Sequence, residues 1–283
     1  MLQVDIDKIQ DLQTFYENMK GVDTNFSCLI MGLFGVGKTT FCCTGRLPVL
    51  IDSFDPRGTV VIESDPKLRE LREKGGIIIR PFWSEQSAKP VEYDRWEKAW
   101  QEDIKSGFLK NFGTYAIDSG TLHLQALVNQ YAKRRGRIDG QLQIQDYPVI
   151  YNILLDVIQL SSSQGCDFIY TGHLVDEVDE VTKGIRSERD TFSKLKSRIP
   201  IMFTEKYVLR KKQTSKGVAR ELLTVDEGRF RASTQLGAQG KLLPIEVPNL
   251  KEILKKVGFP IEDKPFFPMI SKTKTQGEQP PQK

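Results

Sequence analysis

A chain of 283 residues with 39% hydrophobic content can bury a full core as one large domain, or as one domain with appendages. No apolar run approaches the roughly 18 residues of a membrane span, and Met1-Leu2-Gln3-Val4-Asp5 lacks the basic and then apolar plan of a signal peptide, so a cytoplasmic protein is expected. The formal charge of +4 is too small to argue for nucleic acid by itself, and the four cysteines, Cys28, Cys42, Cys43 and Cys166, have no paired C-x-x-C spacing and read as buried free thiols.

Ile6, Ile9, Leu12, Phe15, Tyr16 and Met19 recur at helical spacing, so residues 1–24 are predicted as an amphipathic helix ahead of the core. The run Phe26 to Met31 reads as a buried strand. It leads into Gly32-Leu33-Phe34-Gly35-Val36-Gly37-Lys38-Thr39, which fits G-x-x-x-x-G-K-[ST], and Thr39 to Cys43 can open a helix. A second strand is predicted over Gly58 to Glu63, then a helix toward Lys74 with Asp65 as cap and Pro66 at its first position. Ile77-Ile78-Ile79 is a short third strand. Tyr93 to Lys105 is helical, and Trp96 and Trp100, one turn apart, fit core packing better than a base-stacking platform. Tyr115 to Asp118 is a fourth strand, Val149 to Leu160 a helix, and Asp167 to Thr171 a fifth strand. Strands alternating with helices imply an α/β fold: a mainly parallel sheet covered on both faces.

Near Pro200 the pattern changes. Tyr207 to Arg210, Glu221 to Val225 and Gly228 to Ser233 read as short strands joined by turns at Ser215-Lys216-Gly217 and Asp226-Glu227-Gly228, an antiparallel C-terminal extension. The core is assigned to residues 25–247, and residues 248–283 to a C-terminal helix and a tail that is expected to be disordered from Thr273 on.

The phosphate-loop pattern carries the chemistry. Its glycines let the backbone close around a phosphate with successive N–H groups pointing inward, Lys38 adds positive charge toward the outer phosphates, and the Thr39 hydroxyl can reach a phosphate-bound magnesium. Residues 32–40, ending at Thr40, are therefore the predicted nucleotide-binding set, with ATP and Mg2+ as the expected ligands. Asp118 ends an apolar strand, where a carboxylate can hold magnesium or cap the helix from Ser119 onward. Ile62-Glu63-Ser64-Asp65 would place two acids at the carboxyl edge of the sheet, where either could orient or deprotonate an attacking water; Asp65 is equally a helix cap. His173 follows the fifth strand, in position to contact a terminal phosphate or to serve the structure.

The order of these parts resembles the core of the RecA family, and more closely the phage-encoded RecA-like ATPases of single-strand annealing and recombination. The matching span runs from Ser27 to Gln235: phosphate loop, Ile62-Glu63-Ser64-Asp65, Tyr115-Ala116-Ile117-Asp118-Ser119-Gly120, Thr171-Gly172-His173, a hairpin, and Gly228-Arg229-Phe230-Arg231-Ala232-Ser233. The resemblance implies a RecA-like phosphate-loop core with ATPase activity. It puts the water-activating role at Asp65, although Glu63 has the longer reach, and gives His173 the place of a phosphate-sensing glutamine. Arg229 and Arg231 become candidates for completing a neighbour's site in a homo-oligomer, as a ring or filament.

The densest basic cluster is Lys133, Arg134, Arg135 and Arg137, where phosphate contacts or a solvated helix end are both available readings. The resemblance makes it a DNA-binding loop, and makes the long polar stretch from Leu174 to Arg198, with Lys183, Arg186 and Arg189, a second one coupled to nucleotide through His173. The expectation is an ATP-dependent single-stranded DNA-binding protein of phage-type recombination or annealing, acting in host cytoplasm, with a single-strand DNA-binding protein as a further partner. A helicase-related, loader or packaging motor, and a nucleotide-gated interaction protein with little turnover, are the rival readings.

Overall fold

Apolar alternation places the first strand. In β1 (Ser27–Gly32), Cys28 and Ile30 enter one side of the core, Leu29 and Met31 the other, and all four are buried. A strand apolar on both faces belongs inside a covered parallel sheet. β1 lies between β5 (Asp167–Val178) and β7 (Glu205–Thr214), parallel to both. Next to β5 come β4 (Thr114–Asp118), β2 (Val49–Ser53) and β3 (Ile77–Pro81), all parallel. Beyond β7 the sheet turns antiparallel through β8 (Gly217–Leu223) and β10 (Ile245–Glu246), while β6 (Ile185–Arg189) pairs with the end of β5 and β9 (Ser233–Thr234) with β7. The computed structural model describes residue 14 and residues 25–84, 86–137, 140–178, 185–215 and 217–267, without the side chains of 238 and 239. The helix expected over residues 1–24, Thr14 apart, and the tail from Thr273 lie outside them.

One face of the sheet is covered by α4 (Glu92–Ser106), α5 (Gly120–Arg134), α6 (Asp146–Ser162) and α7 (Ser193–Ile201). The other carries α1 (Lys38–Cys42), α2 (Val60–Ser64), α3 (Pro66–Glu73) and α8 (Leu250–Val257). The architecture is the expected one: an α/β fold with a mainly parallel sheet, helices on both faces and an antiparallel C-terminal extension. Trp96 and Trp100 stack in the core at 5.4 Å, as their spacing implied. The four cysteines are free and buried.

Three sequence readings are corrected. The β-branched run ending at Glu63 is helix α2, not a strand. Ile62 is buried and Val60 exposed, so only one side of the run meets the core, whereas Val49–Ser53 is buried throughout and fills the sheet position beside β4. Gly228 to Ser233 is not a strand either: Glu227 and Phe230 close a tight turn on each other, and pairing with β7 is confined to Ser233–Thr234. The stretch from Leu174 to Arg198, read as a long loop, continues β5 to Val178, returns as β6 and enters α7.

Polar groups inside the core are matched across elements. Asp52 of β2 receives Nε and Nη2 of Arg80 at 2.6 and 2.9 Å, the Trp96 indole at 2.9 Å and the Tyr115 hydroxyl at 2.7 Å, which ties β2, β3, β4 and α4 together. His123 of α5 is wholly buried, its ring 4.4 Å from that of Trp96 and 5.0 Å from that of Phe54. The Tyr170 hydroxyl donates to Gly120 O, so its oxygen is left to accept from His123 Nδ1, 3.3 Å away, and the ring is neutral with Nε2 unpartnered among the described residues.

Burial holds the His123 imidazole far below its usual range, at about 3. Because the unfolded chain binds this proton more tightly, the contribution is intact above the ordinary value of 6.5 and is lost as the pH falls below it. With a limiting slope of about 1.4 kcal/mol per pH unit, reached only once the unfolded-state histidine is fully protonated, urea unfolding at pH 6.5 and pH 5 is expected to show the native chain losing about 1.6 kcal/mol more than His123→Leu. Parallel losses in the two proteins would contradict this assignment.

Candidate nucleotide site

Strand register brings the site together. Gly32, where β1 ends, lies beside His173 of β5 and Leu209 of β7, and Ser53 of β2 lies beside Asp118 of β4. The chain leaving each strand therefore opens onto one edge of the sheet, where ligands bind in open α/β folds. There a cavity of about 150 Å³ is lined by Phe34, Gly35, Gly37, Lys38, Thr39 and Thr40 of the phosphate loop, by Asp55, Arg57, Gly58 and Val61 beyond β2, and by Asp118, His173 and Arg220.

Two glycines are required by geometry. A Cβ on Gly32 would stand 2.7 Å from both Leu209 O and Val36 Cγ2, so the loop leaves the sheet too close to β7 for any side chain. Gly37, at φ 106°, turns the chain into α1 in the left-handed region, and Arg220 packs where its Cβ would be, with Cδ and Nε at 3.0 Å.

Lys38 is buried, and its Nζ donates to Gly32 O at 3.0 Å and Leu33 O at 3.1 Å and lies 3.2 Å from His173 Nδ1. Burial lowers the lysine below its ordinary value, while Asp118 and Asp55 act the other way. His173 is lowered too, first by burial and then by the Lys38 charge, so Nδ1 is the unprotonated acceptor facing the ammonium. Thr39 Oγ1 donates to Asp118 Oδ2 at 2.5 Å, and Thr171 Oγ1 to Oδ1 at 2.7 Å. A hydroxyl and a carboxylate side by side are hard oxygen donors suited to Mg2+, which takes one or two protein oxygens and completes its shell with phosphate and water. No group of three or more His, Cys, Asp or Glu able to hold a metal occurs among the described residues, so the donor set fits a phosphate-borne metal rather than a protein cage.

Not every predicted residue reaches this cavity. Leu33 and Val36 belong to the loop but face a neighbouring cavity of about 590 Å³ beside β7. Glu63, on α2, is paired with Arg72, and Asp65 caps α3 by accepting from Lys67 N at 2.9 Å and Leu68 N at 3.3 Å. Neither lines the cavity. The acid that lines it besides Asp118 is Asp55, whose Oδ1 accepts from Arg57 N at 3.0 Å in the turn after β2. Sequence reasoning missed it by placing the second strand too late, although the run Val49-Leu50-Ile51 ending in Asp52 and Ser53 is a readable strand. Arg57 and Arg220 were missed for want of any local pattern.

The proposed DNA and trans-acting cations that the structure describes have partners within the chain. Lys133 Nζ donates to Pro90 O at 2.9 Å, Arg134 pairs with Asp94 and Glu97, Arg135 lies against the Tyr131 ring, and Arg137 pairs with Asp146. Arg186 is exposed on β6, Arg189 is buried, and Lys183 lies outside the described residues. Arg229 bonds Asp176 at 2.7 Å and Arg231 bonds Asp226 at 3.1 Å, both near the surface.

No protein-family model and no curated protein matches the chain. Among solved structures it is similar to a KaiC-like protein from the hyperthermophilic archaeon Pyrococcus horikoshii OT3, with 15% identity over 74% of this chain and 82% of that one and a TM-score of 0.41. At that distance the likeness adds nothing to what strand order and register show. No helix among the described residues is long and apolar enough to cross a membrane.

If Thr39 and Asp118 hold the metal, calorimetry with ATP should show Asp118→Asn losing the increment in affinity that magnesium supplies while keeping the metal-free affinity. Equal losses with and without magnesium would mean that the change damages the loop instead.

Proposed function

We propose that this chain is a magnesium-dependent ATPase that uses the cavity at the phosphate loop as its active site. The observation that carries the proposal is the meeting of Lys38, the Thr39–Asp118 pair, Asp55 and His173 around that one cavity. When bound at Thr39 and Asp118, magnesium would neutralise phosphate charge. Loop N–H groups and Lys38 then hold the outer phosphates, and Arg220 and Arg57 add positive charge from the same chain. A water attacks the γ-phosphorus in line. Its P–O bond forms as the bond to the β-phosphate oxygen breaks, ADP leaves, and the water proton passes toward the Asp55 carboxylate. His173, neutral and beside Lys38, is placed to hydrogen-bond the terminal phosphate and report its presence to β5.

Single-stranded DNA remains the proposed polymer partner on the strength of the sequence resemblance. The Lys133–Arg137 segment lends it little support, because its cations are engaged within the chain. Arg220 lines the cavity from its own chain, which favours a site that does not wait for a neighbour's Arg229 or Arg231.

Phosphate release from magnesium ATP should be abolished in Lys38→Ala and reduced about 100-fold or more in Asp55→Asn with nucleotide binding retained, the range expected for a general base. Glu63→Gln and Asp65→Asn should turn over at the native rate. An active Asp55→Asn beside an inactive Glu63→Gln would move the base back to α2.

Arg220→Ala should lower turnover at every protein concentration, whereas Arg229→Ala and Arg231→Ala should matter only if activity per chain rises with concentration. A native rate in Arg220→Ala, with concentration-dependent activity restored by mixing loop and arginine mutants, would establish the shared site instead.

A further inference from the structure

Arg189 of β6 is a buried cation with no counter-ion among the described residues. It is 7% exposed; its Nη2 donates to Leu195 O at 2.9 Å, and its Nη1 is buried without a hydrogen-bond partner among the described residues. A guanidinium carries five N–H donors and keeps its proton, so a buried one with a single acceptor leaves a charge that the interior must offset. Burial pushes this arginine down to about 10, and Glu188 opposes that shift without forming an ion pair.

The side chain lines a cavity of about 320 Å³ between β6, α7 and β7, whose lining residues are all different from those of the nucleotide cavity. Lys196, Lys206 and Arg231 line it as well, against two acids, Glu188 and Asp226. Asp226 is already occupied, accepting from Arg231 and from Ala232 N. Lys196 is paired with Glu177 and Arg231 with Asp226, so the charges left over are Arg189 and Lys206 against Glu188, next to an apolar wall that includes Met31, Leu174 and Pro200.

We infer that this cavity is a second ligand site, taking a small phosphorylated molecule whose phosphoryl oxygens meet Lys206, whose negative charge offsets the buried Arg189 guanidinium beside it, and whose body lies on the Met31 and Leu174 wall. The volume sits at the lower end of small-ligand pockets, which suits a phosphate on a compact apolar body rather than a polymer. An anion next to a buried, uncompensated cation relieves the cost of burying that charge.

The test uses full-length Lys38→Ala, so that the phosphate loop does not answer, titrated with inorganic phosphate and with phenyl phosphate. Saturable thermal stabilisation is expected from both, tighter for phenyl phosphate if the wall is used, because a ligand that binds only the folded state raises the melting temperature. Adding Arg189→Met should weaken that binding at least 10-fold without unfolding the protein, since a long apolar side chain can replace an uncompensated buried charge. Adding Lys206→Ala, at a half-buried sheet position away from the core, should weaken it as well and decides the matter should the methionine variant not fold. Equal affinity for the two probes would assign the site to free phosphate. Absence of saturable binding in Lys38→Ala, or affinity unchanged by Lys206→Ala, would overturn the proposal.

Discussion

The Asp118 carboxylate joins three parts of the chain that sequence leaves far apart. One oxygen accepts from Thr39 at the start of α1 and the other from Thr171 near the end of β5, so the phosphate loop, β4 and β5 share a single acid. A carboxyl group this deeply buried demands such donors, and the two hydroxyls supply them while leaving lone pairs for a cation. The rest follows from parallel register. With β1, β5, β4 and β2 side by side and running the same way, their carboxyl ends deliver Lys38, His173, Asp118 and Asp55 to one edge.

Lys38 is held from three sides. Its ammonium donates to two loop carbonyls and to the imidazole nitrogen of His173, partners that a buried charge requires. Under the proposed function a terminal phosphate competes for the same ammonium. The backbone of His173 is tied to Thr121 Oγ1 through its N–H and to Asp190 N through its carbonyl, so a shift of this histidine is felt both in α5 and at the base of the β5–β6 hairpin. Arg189 stands next to Asp190 in that hairpin, which puts the second cavity within one residue of the connection.

Legibility in the sequence followed burial. β1, β4 and the first half of β5 are apolar on both faces, so their residues announced strands, and the glycines and lysine of the loop pointed to a phosphate; Lys38, Thr39, Asp118 and His173, all named from the sequence, line one cavity. The run from Thr59 to Ile62 carries the same β-branched residues but meets the core with one face, and local propensity pointed the wrong way. That error hid β2, and with it Asp55. Arg220 comes from a strand more than a hundred residues downstream and reaches the loop through packing on Gly37, a contact no spacing encodes. The basic cluster at the end of α5 looked like a phosphate-binding patch because sequence shows charges and not their partners; Asp94, Glu97 and Asp146 are brought to it by α4 and α6.

Every role proposed for Lys38, Asp118, Asp55 and His173 requires nucleotide to bind in this one cavity. The most direct measurement is a crystal structure with magnesium and a non-hydrolysable ATP analogue. It should show the metal against Thr39 Oγ1 and Asp118, the terminal phosphate between Lys38 and His173, and Asp55 facing the in-line water. A nucleotide seated elsewhere, or one in this cavity with its terminal phosphate turned away from Lys38 and His173, would contradict it.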